Sequence, residues 1–442
     1  MKSLLSKFAQ KQARIVIVGV GYVGLPLATA FAAAGFSTLG YDKNVRRVSA
    51  INDERRSYVA DVQSIDLAVQ VEAGRLSATS DPDVLRGADA IIVCVPTPLD
   101  ELRQPDLRFI EEATREIARS LHPELLVVLE STTYPGTTRE VLLPPLIRAG
   151  GRLGEDLFVA YSPERLEPGN PTWGIHNTPK VVGGVSPACS LVAQALYQRV
   201  IERTVAVSSV EVAEMVKLFE NTFRAVNIGL ANELAVMCRT LGLDVWEVID
   251  AAATRPFGFM PFYPGPGVGG HCIPIDPLYL SWKLRTLKYQ ARFIELADTI
   301  NSAMPEHVVH LVADALNERA KAVKGSRILV SGVAYKRDVA DLRESPALEV
   351  IDLLRRRGAE VSYHDPFIAV LDEHGADTVP TLVGMKSVAS PVKYGAYDAV
   401  VIVTDHTDLP YERMLAEAPC IVDTRNALKR FPSAQRGKVV TL

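Results

Sequence analysis

Hydrophobic and polar positions along this chain alternate in the order strand, turn, helix. In its first part, short apolar runs rich in β-branched residues predict strands at 14–19, 36–41, 90–96 and 125–130. An alanine-rich pattern from Leu25 to Gly35 predicts the first helix, which a glycine closes. Apolar strands that alternate with helices are typical of a parallel sheet covered on both faces, so we expect a doubly wound α/β unit.

The middle of the chain has helical periodicity instead. One long helix is predicted from about Ser209 to Leu241, and a second helical stretch from about Tyr289 to Ala322. A helical block between two sheet-forming halves predicts a connector. An apolar helix of this length also favours packing against a second subunit, so we expect a homodimer or a higher homo-oligomer.

After Lys324 and Gly325 the opening pattern returns, with strands predicted at 327–334, 359–365, 397–404 and 420–423 and a helix from Ala347 to Arg357. The fold class is therefore α/β, with two Rossmann-like doubly wound parallel-sheet domains joined by a long central helix in a helical connector domain. The predicted domains are 1–207, 208–322 and 323–442. The second repeat lacks the glycine pattern of the first, so the two are expected to bind different ligands.

Composition narrows the class of protein. The chain has 442 residues, of which 48% are hydrophobic, and its formal net charge is -4. This size allows two to three domains, and the charge argues against a generic nucleic-acid or membrane-surface protein. The chain contains no run of eighteen apolar residues, so no membrane insertion is predicted. Residues 1–12 are expected to form a short mobile segment.

Cysteine usage bears on compartment and on metals. The five cysteines are widely spaced, odd in number and without a C-x-x-C pair. This pattern indicates neither a disulfide framework nor a zinc site, so no metal is expected, and a reducing cytoplasm fits best.

A glycine motif, Gly19-Val-Gly-Tyr-Val-Gly24, follows the first strand and opens the first helix. In a G-x-G-x-x-G turn Gly19 permits the tight bend, Gly21 permits close approach of a pyrophosphate, and Gly24 permits close helix packing. Tyr22 and Val23 occupy the intervening positions and are included among the cofactor residues. The alternative is a glycine turn that serves packing alone.

Three polar residues extend this cofactor prediction. Asp42 ends the second strand, where its carboxylate can accept a hydrogen bond from a ribose 2′-hydroxyl and would repel a 2′-phosphate, which favours NAD over NADP. Arg47 can approach the adenosine or the phosphates, or it can be a solvated cation on a helix face. Thr97 follows a strand at the sheet edge where α/β folds bind ligands, or its hydroxyl caps a loop.

Candidate chemistry centres on Cys272 in the segment 264–277, which has four glycines and four prolines in fourteen residues. Such a loop excludes regular structure and is suited to positioning a nucleophile, although a lone cysteine is also often a small buried hydrophobe. Lys217 and Asn221 are spaced i, i+4 on the long helix, which puts a cation and a neutral donor side by side for an oxyanion. A solvent-facing pair is the alternative.

Six motifs then occur in order: the glycine turn, Ser131-Thr132, Ser162-Pro-Glu164, the helix with Lys217 and Asn221, Gly269-Gly-His-Cys-Ile-Pro-Ile-Asp276, and Tyr335-Lys-Arg-Asp-Val-Ala-Asp-Leu-Arg-Glu-Ser345. In this order the chain resembles the UDP-glucose/UDP-N-acetylhexosamine 6-dehydrogenase family over nearly its whole length. The proline-rich approach to Cys272 is most similar to the UDP-N-acetylglucosamine 6-dehydrogenase branch.

The resemblance implies an NAD-dependent four-electron oxidation of the C6 hydroxyl of a UDP-sugar to a carboxylate, for surface polysaccharide synthesis. UDP-N-acetylglucosamine is the expected substrate, and UDP-glucose, UDP-N-acetylmannosamine and the galactosamine epimer stay open. A two-electron NAD dehydrogenase of the hydroxyacid type and a non-catalytic NAD sensor are alternatives of other classes. The UDP-glucose branch typically has a second glutamate where this chain has Pro168, which is consistent with a changed sugar.

The resemblance also implies roles for individual residues. Cys272 is the nucleophile, Lys217 and Asn221 hold the oxyanion, and Asp276 assists with a water or with Lys217. Either Lys217 or Asp276 takes the first alcohol proton. Glu164 and Thr132 handle the hydrolytic water, and Thr132 also contacts the cofactor. The implied substrate residues are Glu164, Arg165, Lys217, Asn221, Arg255, Tyr263, Gly269, Tyr335, Lys336 and Arg425. Among them, Arg255 is implied to reach the substrate of a neighbouring subunit.

Overall fold

The computed structural model describes residues 1–59, 62–100, 102–167, 170, 172–372, 379–432 and 437–442. The chain forms two compact units, Met1–Glu220 with Leu278–Tyr289, and Asn221–Pro277 with Gln290–Leu442. Each unit has its own mainly parallel sheet, so the predicted fold class is confirmed. The domain boundaries near residues 207 and 322 stay a prediction.

The first unit has an eight-stranded sheet in the order β3-β2-β1-β4-β5-β6-β7-β8. Its strands are β1 (Arg14–Val18), β2 (Ser37–Tyr41), β3 (Leu76–Thr79), β4 (Ala90–Val93), β5 (Leu125–Leu129), β6 (Leu157–Tyr161), β7 (Lys180–Gly184) and β8 (Thr204–Val207). Its helices are α1 (Lys2–Gln10), α2 (Gly24–Ala33), α3 (Val45–Asn52), α4 (Ser64–Glu72), α5 (Arg108–Arg119), α6 (Leu143–Arg148) and α7 (Pro187–Tyr197).

Helices cover both faces of this sheet, which explains why its strands are apolar at successive positions. Along β1, Ile15 and Ile17 lie in one core cluster, whereas Val16 and Val18 lie in the cluster on the opposite face. Successive side chains of a strand point to opposite faces, so a strand buried on both sides needs an apolar residue at each position.

One strand pair departs from the predicted parallel arrangement. β6 and β7 pair antiparallel, with Tyr161 opposite Gly183, and β8 then runs parallel to β7. The antiparallel strand brings its first residue, Lys180, to the edge of the sheet where β6 ends. The parallel strands end at the same edge. The reversal of β7 therefore brings Lys180 to the ligand side of the sheet.

The expectation of a mobile N-terminal segment is wrong. Residues of that segment form helix α1, which buries Leu4 and Phe8 completely. These two side chains lie one helical turn apart and join the core cluster that contains Phe31 and Tyr197. Two large apolar side chains on one face give a short helix enough buried surface to dock.

The second unit has a five-stranded parallel sheet in the order β10-β9-β11-β12-β13. Its strands are β9 (Arg327–Ser331), β10 (Glu360–His364), β11 (Ala399–Ile402), β12 (Ile421–Asp423) and β13 (Val439–Thr441). The helices from residue 210 onward are α8 (Val210–Leu241), α9 (Val245–Ala253), α10 (Asp276–Thr286), α11 (Arg292–Asn317), α12 (Pro346–Arg356) and α13 (Tyr411–Glu417).

The long predicted helix corresponds to α8, and the second helical stretch to α11. Within the second unit, Ala235 of α8, Ile249 of α9 and Val308 of α11 share a core cluster with Ile351 of α12 and Val330 of β9. The helical segments of this unit therefore pack in one continuous core with its sheet. Within the described part of the chain, no helix combines the length and the apolar composition that crossing a bilayer requires.

Candidate active site

The turn between β1 and α2 has the geometry that a bound pyrophosphate requires. Gly19 lies at φ +88°, and a Cβ atom there would come within 2.8 Å of the carbonyl oxygen of Cys94. A Cβ atom on Gly24 would lie 1.9 Å from the carbonyl oxygen of Gly19, so neither glycine can carry a side chain without displacing backbone. A Cβ atom on Gly21 would lie 3.8 Å from Nη1 of Arg47, in ordinary van der Waals contact. Because α2 begins at Gly24, its N-terminal amides lie at this turn.

Asp42 follows β2 and is buried beside this turn. Its Oδ2 accepts hydrogen bonds from the Val20 amide at 3.0 Å and from Arg47 Nη1 at 3.2 Å, and its Oδ1 accepts one from the Asn44 amide at 2.8 Å. A carboxylate has about four acceptor positions, so a ribose hydroxyl can still be accommodated. The residues of this turn fit NAD, and Arg47 is an ion-pair partner of Asp42 rather than a cation exposed on its own.

The other predicted cofactor residues differ in exposure. The Tyr22 side chain is exposed, Val23 packs partly against the core, and Thr97 is buried after β4. Thr132 is half-buried after β5. β1, β4 and β5 are neighbouring parallel strands. Their carboxyl ends therefore place Thr97 and Thr132 at the same sheet edge as Gly19, which is where open α/β sheets bind ligands.

One buried carboxylate anchors the loop that carries Thr132 to α8. Glu214 accepts hydrogen bonds from the Gly136 amide at 2.6 Å, the Thr138 amide at 2.8 Å and the Thr138 hydroxyl at 2.7 Å. Burial raises the pKa of Glu214 to about 7. Glu214 precedes Lys217 by three residues on α8, so these contacts fix the Thr132 loop to the turn of helix that carries Lys217.

Glu164 and Arg165 follow β6 and are held by different partners. Oε1 of Glu164 accepts the amides of Arg165 and Leu166 at 2.6 Å each, and its Oε2 lies 3.7 Å from Nζ of Lys180. The guanidinium of Arg165 donates to Glu220 at 2.6 Å. Glu164 is therefore oriented by backbone and by a lysine, while the charge of Arg165 is paired within the first unit.

Lys217 and Asn221 are both buried on α8, which excludes the alternative of a solvent-facing pair. Nδ2 of Asn221 donates to Oδ2 of Asp276 at 2.5 Å, and Asp276 is buried as well. The contact fixes the orientation of the amide, whose second N–H remains able to donate to a ligand. The structure thus brings together two predicted catalytic residues 55 positions apart in sequence.

Cys272 is exposed, which excludes the alternative of a small buried hydrophobe. Its carbonyl oxygen accepts the Asp276 amide at 2.9 Å, so the turn that carries the thiol leads directly into α10. Burial raises the pKa of the Cys94 and Cys420 thiols, and such thiols are poor nucleophiles. The four buried cysteines are Cys94, Cys189, Cys238 and Cys420.

Two buried asparagines anchor the approach to Cys272. Oδ1 of Asn232, on α8, accepts the Gly265 amide at 2.9 Å, and its Nδ2 donates to Oδ1 of Asn301, on α11, at 2.8 Å. Nδ2 of Asn301 donates in turn to the carbonyl oxygen of Ala225 at 3.1 Å. The proline- and glycine-rich loop is thereby tied to both long helices of the second unit.

The glycines next to Cys272 make room for Tyr335. Gly270 lies at φ +84°, and a Cβ atom on it would be 2.8 Å from the Tyr335 ring. A Cβ atom on Gly269 would be 2.8 Å from Cβ of Tyr335 and from the carbonyl oxygen of Glu344. The structure therefore brings the predicted substrate residues Gly269 and Tyr335 into contact. Lys336, which follows Tyr335 in the sequence, is half-buried.

Arg425 lies under the same loop. Its Nε donates to the carbonyl oxygen of Val403 at 2.9 Å, and its Nη1 would be 2.7 Å from a Cβ atom on Gly265. Burial, with a smaller effect from the Arg337 charge, lowers the pKa of Arg425 to about 10, so the guanidinium is protonated at neutral pH. A half-buried cation of this kind suits an anionic ligand such as a diphosphate.

The remaining predicted substrate residues lie in the exposed segment before this loop. The guanidinium of Arg255 lies 5.0 Å from the centre of the Phe257 ring. The Tyr263 hydroxyl donates to Asp250 at 2.9 Å, and its ring stacks on Trp246 with centroids 5.8 Å apart. Tyr263 is therefore packed on α9, whereas Arg255 is exposed.

Sequence reasoning missed the residues that hold the site. Glu214, Asn232, Asn301, Glu130 and Lys180 are buried polar side chains whose partners are distant in sequence. The available signal was weak: Asn232 lies three helical turns after Asn221 and so repeats a polar position on one side of α8. Pro168 lies outside the described residues. Among those described, no group of three or more His, Cys, Asp or Glu residues is arranged to hold a metal ion.

Three family models match the chain in succession. They describe the NAD binding domain of the UDP-glucose/GDP-mannose dehydrogenase family at residues 13–201, its central domain at 211–303 and its UDP binding domain at 329–430.

Individual relatives match over nearly their full lengths. The chain is 36% identical to UDP-N-acetyl-D-glucosamine 6-dehydrogenase of Pseudomonas aeruginosa, with 92% of this chain and 93% of that protein covered. It is 35% identical to an NDP-N-acetyl-D-galactosaminuronic acid dehydrogenase of Ralstonia nicotianae, covering 93% and 95%. A solved UDP-D-ManNAc dehydrogenase from Pyrococcus horikoshii superposes with a TM-score of 0.86 at 34% identity, covering 97% and 98%.

Proposed function

The chain belongs to the UDP-glucose/GDP-mannose dehydrogenase family, and we propose that it oxidises the C6 alcohol of UDP-N-acetylglucosamine to a carboxylate in two successive NAD-dependent steps. Membership makes it an NAD-dependent UDP-sugar dehydrogenase. The observation that carries the finer proposal is the exposed Cys272 thiol, one turn before the buried pair of Asp276 and Asn221. A two-electron dehydrogenase needs no such nucleophile.

Cys272 supplies the covalent step. The Gly19–Gly24 turn would hold NAD, which would supply the hydride acceptor for each oxidation at C6. The Cys272 thiolate adds to the aldehyde carbon and retains it as a thiohemiacetal, which loses the second hydride to become a thioester. Water then releases the acid, with Glu164 and Thr132 assigned to that water. Retention on sulfur prevents loss of the aldehyde between the two oxidations.

Lys217, Asn221 and Asp276 are assigned to the oxygen on C6. Buried donors stabilise a developing oxyanion more strongly than exposed ones, because water does not screen them. Asn221 has one N–H committed to Asp276 and a second available, and Lys217 adds positive charge. We assign Lys217 first to charge stabilisation and then to proton transfer.

The choice of sugar rests on the relatives and on the loop. The named relatives reported above act on or produce N-acetylated sugars, which supports a 2-acetamido group on the substrate. The match at 36% identity and the proline-rich approach to Cys272 favour the gluco epimer. The product would be a UDP-N-acetylglucosaminuronate for surface polysaccharide synthesis, which we propose to take place in the cytoplasm.

The UDP moiety is assigned to the second unit. Arg425 and Lys336 supply positive charge for the diphosphate, and Tyr335 provides an aromatic surface near the uracil or the ribose. The glycines beside Tyr335 and Arg425 support this assignment, because Gly265, Gly269 and Gly270 keep the loop backbone close to both side chains.

We further propose a homodimer formed through the central helices. Large apolar side chains are exposed on this part of the second unit, among them Leu230, Leu241, Phe257, Met260 and Phe293. Large apolar side chains exposed together are typical of a protein interface. Arg255 lies in the same exposed segment and is proposed to reach the partner's substrate. Light scattering on the purified protein should therefore give twice the 48.2 kDa mass of the chain.

An NADH assay across a UDP-sugar panel tests the activity. With UDP-N-acetylglucosamine we expect two NADH per product and a product mass corresponding to the acid. A single NADH per product would contradict the four-electron reaction, and a faster reaction with UDP-N-acetylmannosamine or UDP-N-acetylgalactosamine would reassign the sugar.

Two cysteine variants test the covalent step. Cys272→Ser should lose at least about 100-fold in kcat, because the hydroxyl is a poorer nucleophile than a thiolate. Cys189→Ala is the matched control, since this cysteine is buried in the core of the first unit and should leave kcat unchanged. Unimpaired turnover of Cys272→Ser would favour a two-electron enzyme.

A further inference from the structure

Lys180 is a buried lysine at the edge of the sheet where the proposed hydrolytic residue lies. It is the first residue of β7, and because β7 runs antiparallel to β6, this first residue lies beyond the carboxyl end of β6. Glu164 follows the same end of β6. A parallel β7 would have carried Lys180 to the opposite edge of the sheet, so strand direction alone brings the two side chains together.

The ammonium group of Lys180 lies among carboxylate, carbonyl and aromatic groups. Nζ donates to Oε2 of Glu130 at 3.0 Å and to the carbonyl oxygen of Pro163 at 3.4 Å, and it lies 3.7 Å from Oε2 of Glu164. The Tyr197 hydroxyl donates to the other carboxylate oxygen of Glu130, and its ring lies 5.2 Å from Nζ. Glu130 and Tyr197 thus hold the lysine in place.

Lys180 is charged in this setting. Burial alone would lower the pKa of Lys180, but the carboxylates of Glu130 and Glu164 outweigh that effect and raise it. Burial raises the pKa of Glu130 while the Lys180 charge opposes that shift, and both oxygens of Glu130 accept hydrogen bonds. A single buried cation is therefore shared between two carboxylates.

The two oxygens of Glu164 are held in different ways. Its Oε1 accepts two backbone amides, about two of the four positions that a carboxylate offers, and its Oε2 lies 3.7 Å from Nζ of Lys180, an ion-pair distance too long for a hydrogen bond. Both oxygens are thus restrained, Oε1 by hydrogen bonds and Oε2 by the nearby charge, and a water can donate to Oε2.

We propose that Lys180 is a positioning residue for thioester hydrolysis, holding the Glu164 carboxylate in a single orientation toward the attacking water. This inference rests on the proposed function, because it needs an acyl-enzyme on Cys272. In the step, the water oxygen forms a bond to the acyl carbon, one water proton passes to Glu164, and the carbon–sulfur bond breaks with its electron pair leaving on Cys272. No oxidant or reductant enters.

The test separates hydrolysis from oxidation. Lys180→Met is mixed rapidly with NAD and UDP-N-acetylglucosamine, NADH is followed by absorbance, and acid-quenched protein is weighed by mass spectrometry. We expect a burst of two NADH per subunit, then a steady state at least about tenfold slower than wild type. The mass of the sugar acyl group should accumulate on Cys272. Lys180→Arg should recover the steady-state rate to within about threefold, because it retains the charge.

Two controls keep the result interpretable. Lys7→Met removes a lysine of the first unit that pairs with Asp89 at 2.6 Å, and it should leave no acyl-enzyme. The double variant Glu130→Gln with Lys180→Met removes both charges of the fully buried pair, so Glu130 is not left as an unpaired buried carboxylate. It should show the same burst and the same adduct as the single variant.

Several outcomes would overturn the inference. They are an unchanged hydrolysis rate, oxidations that slow in step with hydrolysis without an adduct, or loss of the folded circular-dichroism signal in both Lys180→Met and the double variant. Failure of the proposed function would look different, because then wild-type protein would give no UDP-sugar-dependent NADH or Cys272→Ser would turn over normally.

Discussion

The two sheet-containing units repeat one turn and use it for different purposes. In each unit the first glycine of the turn, Gly19 or Gly332, lies at positive φ. Its N–H donates at 2.8 Å to the carbonyl oxygen of the last residue of the neighbouring strand. The next amide donates to the carboxylate that follows that strand, Asp42 in the first unit and Asp365 in the second. Up to this point Gly19 and Gly332 occupy equivalent positions.

The carboxylates then meet different partners. Asp42 pairs with the partly exposed Arg47, whereas Asp365 accepts a hydrogen bond at 2.9 Å from Nε2 of the fully buried His406. Nδ1 of His406 accepts the Asp338 amide at 2.9 Å, which fixes the tautomer that donates from Nε2. In the second unit, the carboxylate of Asp365 is thus used for a hydrogen bond within the protein and not for a ligand. The glycine turn by itself does not specify a dinucleotide site, since the end of a neighbouring strand decides whether the carboxylate can reach a ligand.

The largest expected effects come from adding a methyl group to either turn. Gly24→Ala should lower NADH affinity at least about 100-fold, or about 2.7 kcal/mol, because its Cβ atom would lie 1.9 Å from the Gly19 carbonyl oxygen. Gly332→Ala should reduce UDP affinity instead, since its Cβ atom would lie 2.2 Å from the Thr404 carbonyl oxygen. Titration calorimetry with NADH and with UDP measures both.

Gly174→Ala is the matched control, because nothing lies within 4 Å of the added atom. Loss of NADH binding in Gly332→Ala with UDP binding intact would break the division of ligands between the units.

Removal of the two carboxylates should separate stability from binding. Asp365→Ala should lower the free energy of unfolding by about 3 kcal/mol or more, because His406 and four backbone amides lose a buried acceptor. Asp42→Ala should cost about 1 kcal/mol of stability but reduce NADH affinity about tenfold. Urea denaturation and NADH titration of both variants test this. Equal stability losses would show that the two carboxylates play the same structural part.

The pH dependence of stability should have opposite signs in the two units. Burial raises the pKa of Glu214 in the first unit to about 7, so the folded wild type loses stability as pH rises from about 4.5 to 7. Over that range, the free energy of unfolding of Glu214→Gln should rise by about 3 kcal/mol relative to that of wild type. For Asp365, burial opposes the shift, but the hydrogen bonds from His406 and the backbone lower the pKa. Its stabilisation is present above pH 4 and is lost below it.

Urea midpoints of wild type and Glu214→Gln at pH 5 and pH 7.5 test the first of these trends. A difference between the two proteins that does not change with pH would contradict it. Wild-type midpoints below pH 4 report the second trend.

The smallest effects are expected at the two surface-reaching arginines. Arg337 is exposed and pairs with Asp405, and Arg337→Ala should change stability by less than about 1 kcal/mol. Arg47→Ala should change stability by a similar amount and reduce NADH affinity a few fold, since Arg47 lies over the glycine turn. Thermal melts and NADH titration of both variants measure these effects. A larger loss of NADH affinity in Arg337→Ala than in Arg47→Ala would count against the assignment of NAD to the first unit.

Local patterns predicted the elements near the ligands well. The strand before Gly19, the helix after Gly24 and the long helix with Lys217 and Asn221 were all predicted within a few residues, because each depends on periodicity or on glycine at a fixed place. Helix α1 and the antiparallel β7 were not predicted. Docking of α1 depends on a surface made by other helices, and strand direction leaves no mark on apolar periodicity.

The sequence by itself determined the fold class, the dinucleotide turn and, through the order of six motifs, the family. These features depend on residue type at short spacing, where steric limits and side-chain periodicity act directly. Only the tertiary structure decided that Cys272 is exposed, that Asn221 donates to Asp276, that His406 occupies Asp365, and that Lys180 lies beside Glu164. The three contacts join residues that are not neighbours in the chain, and the energy of a buried charge or hydrogen bond depends on its partners and on the exclusion of water.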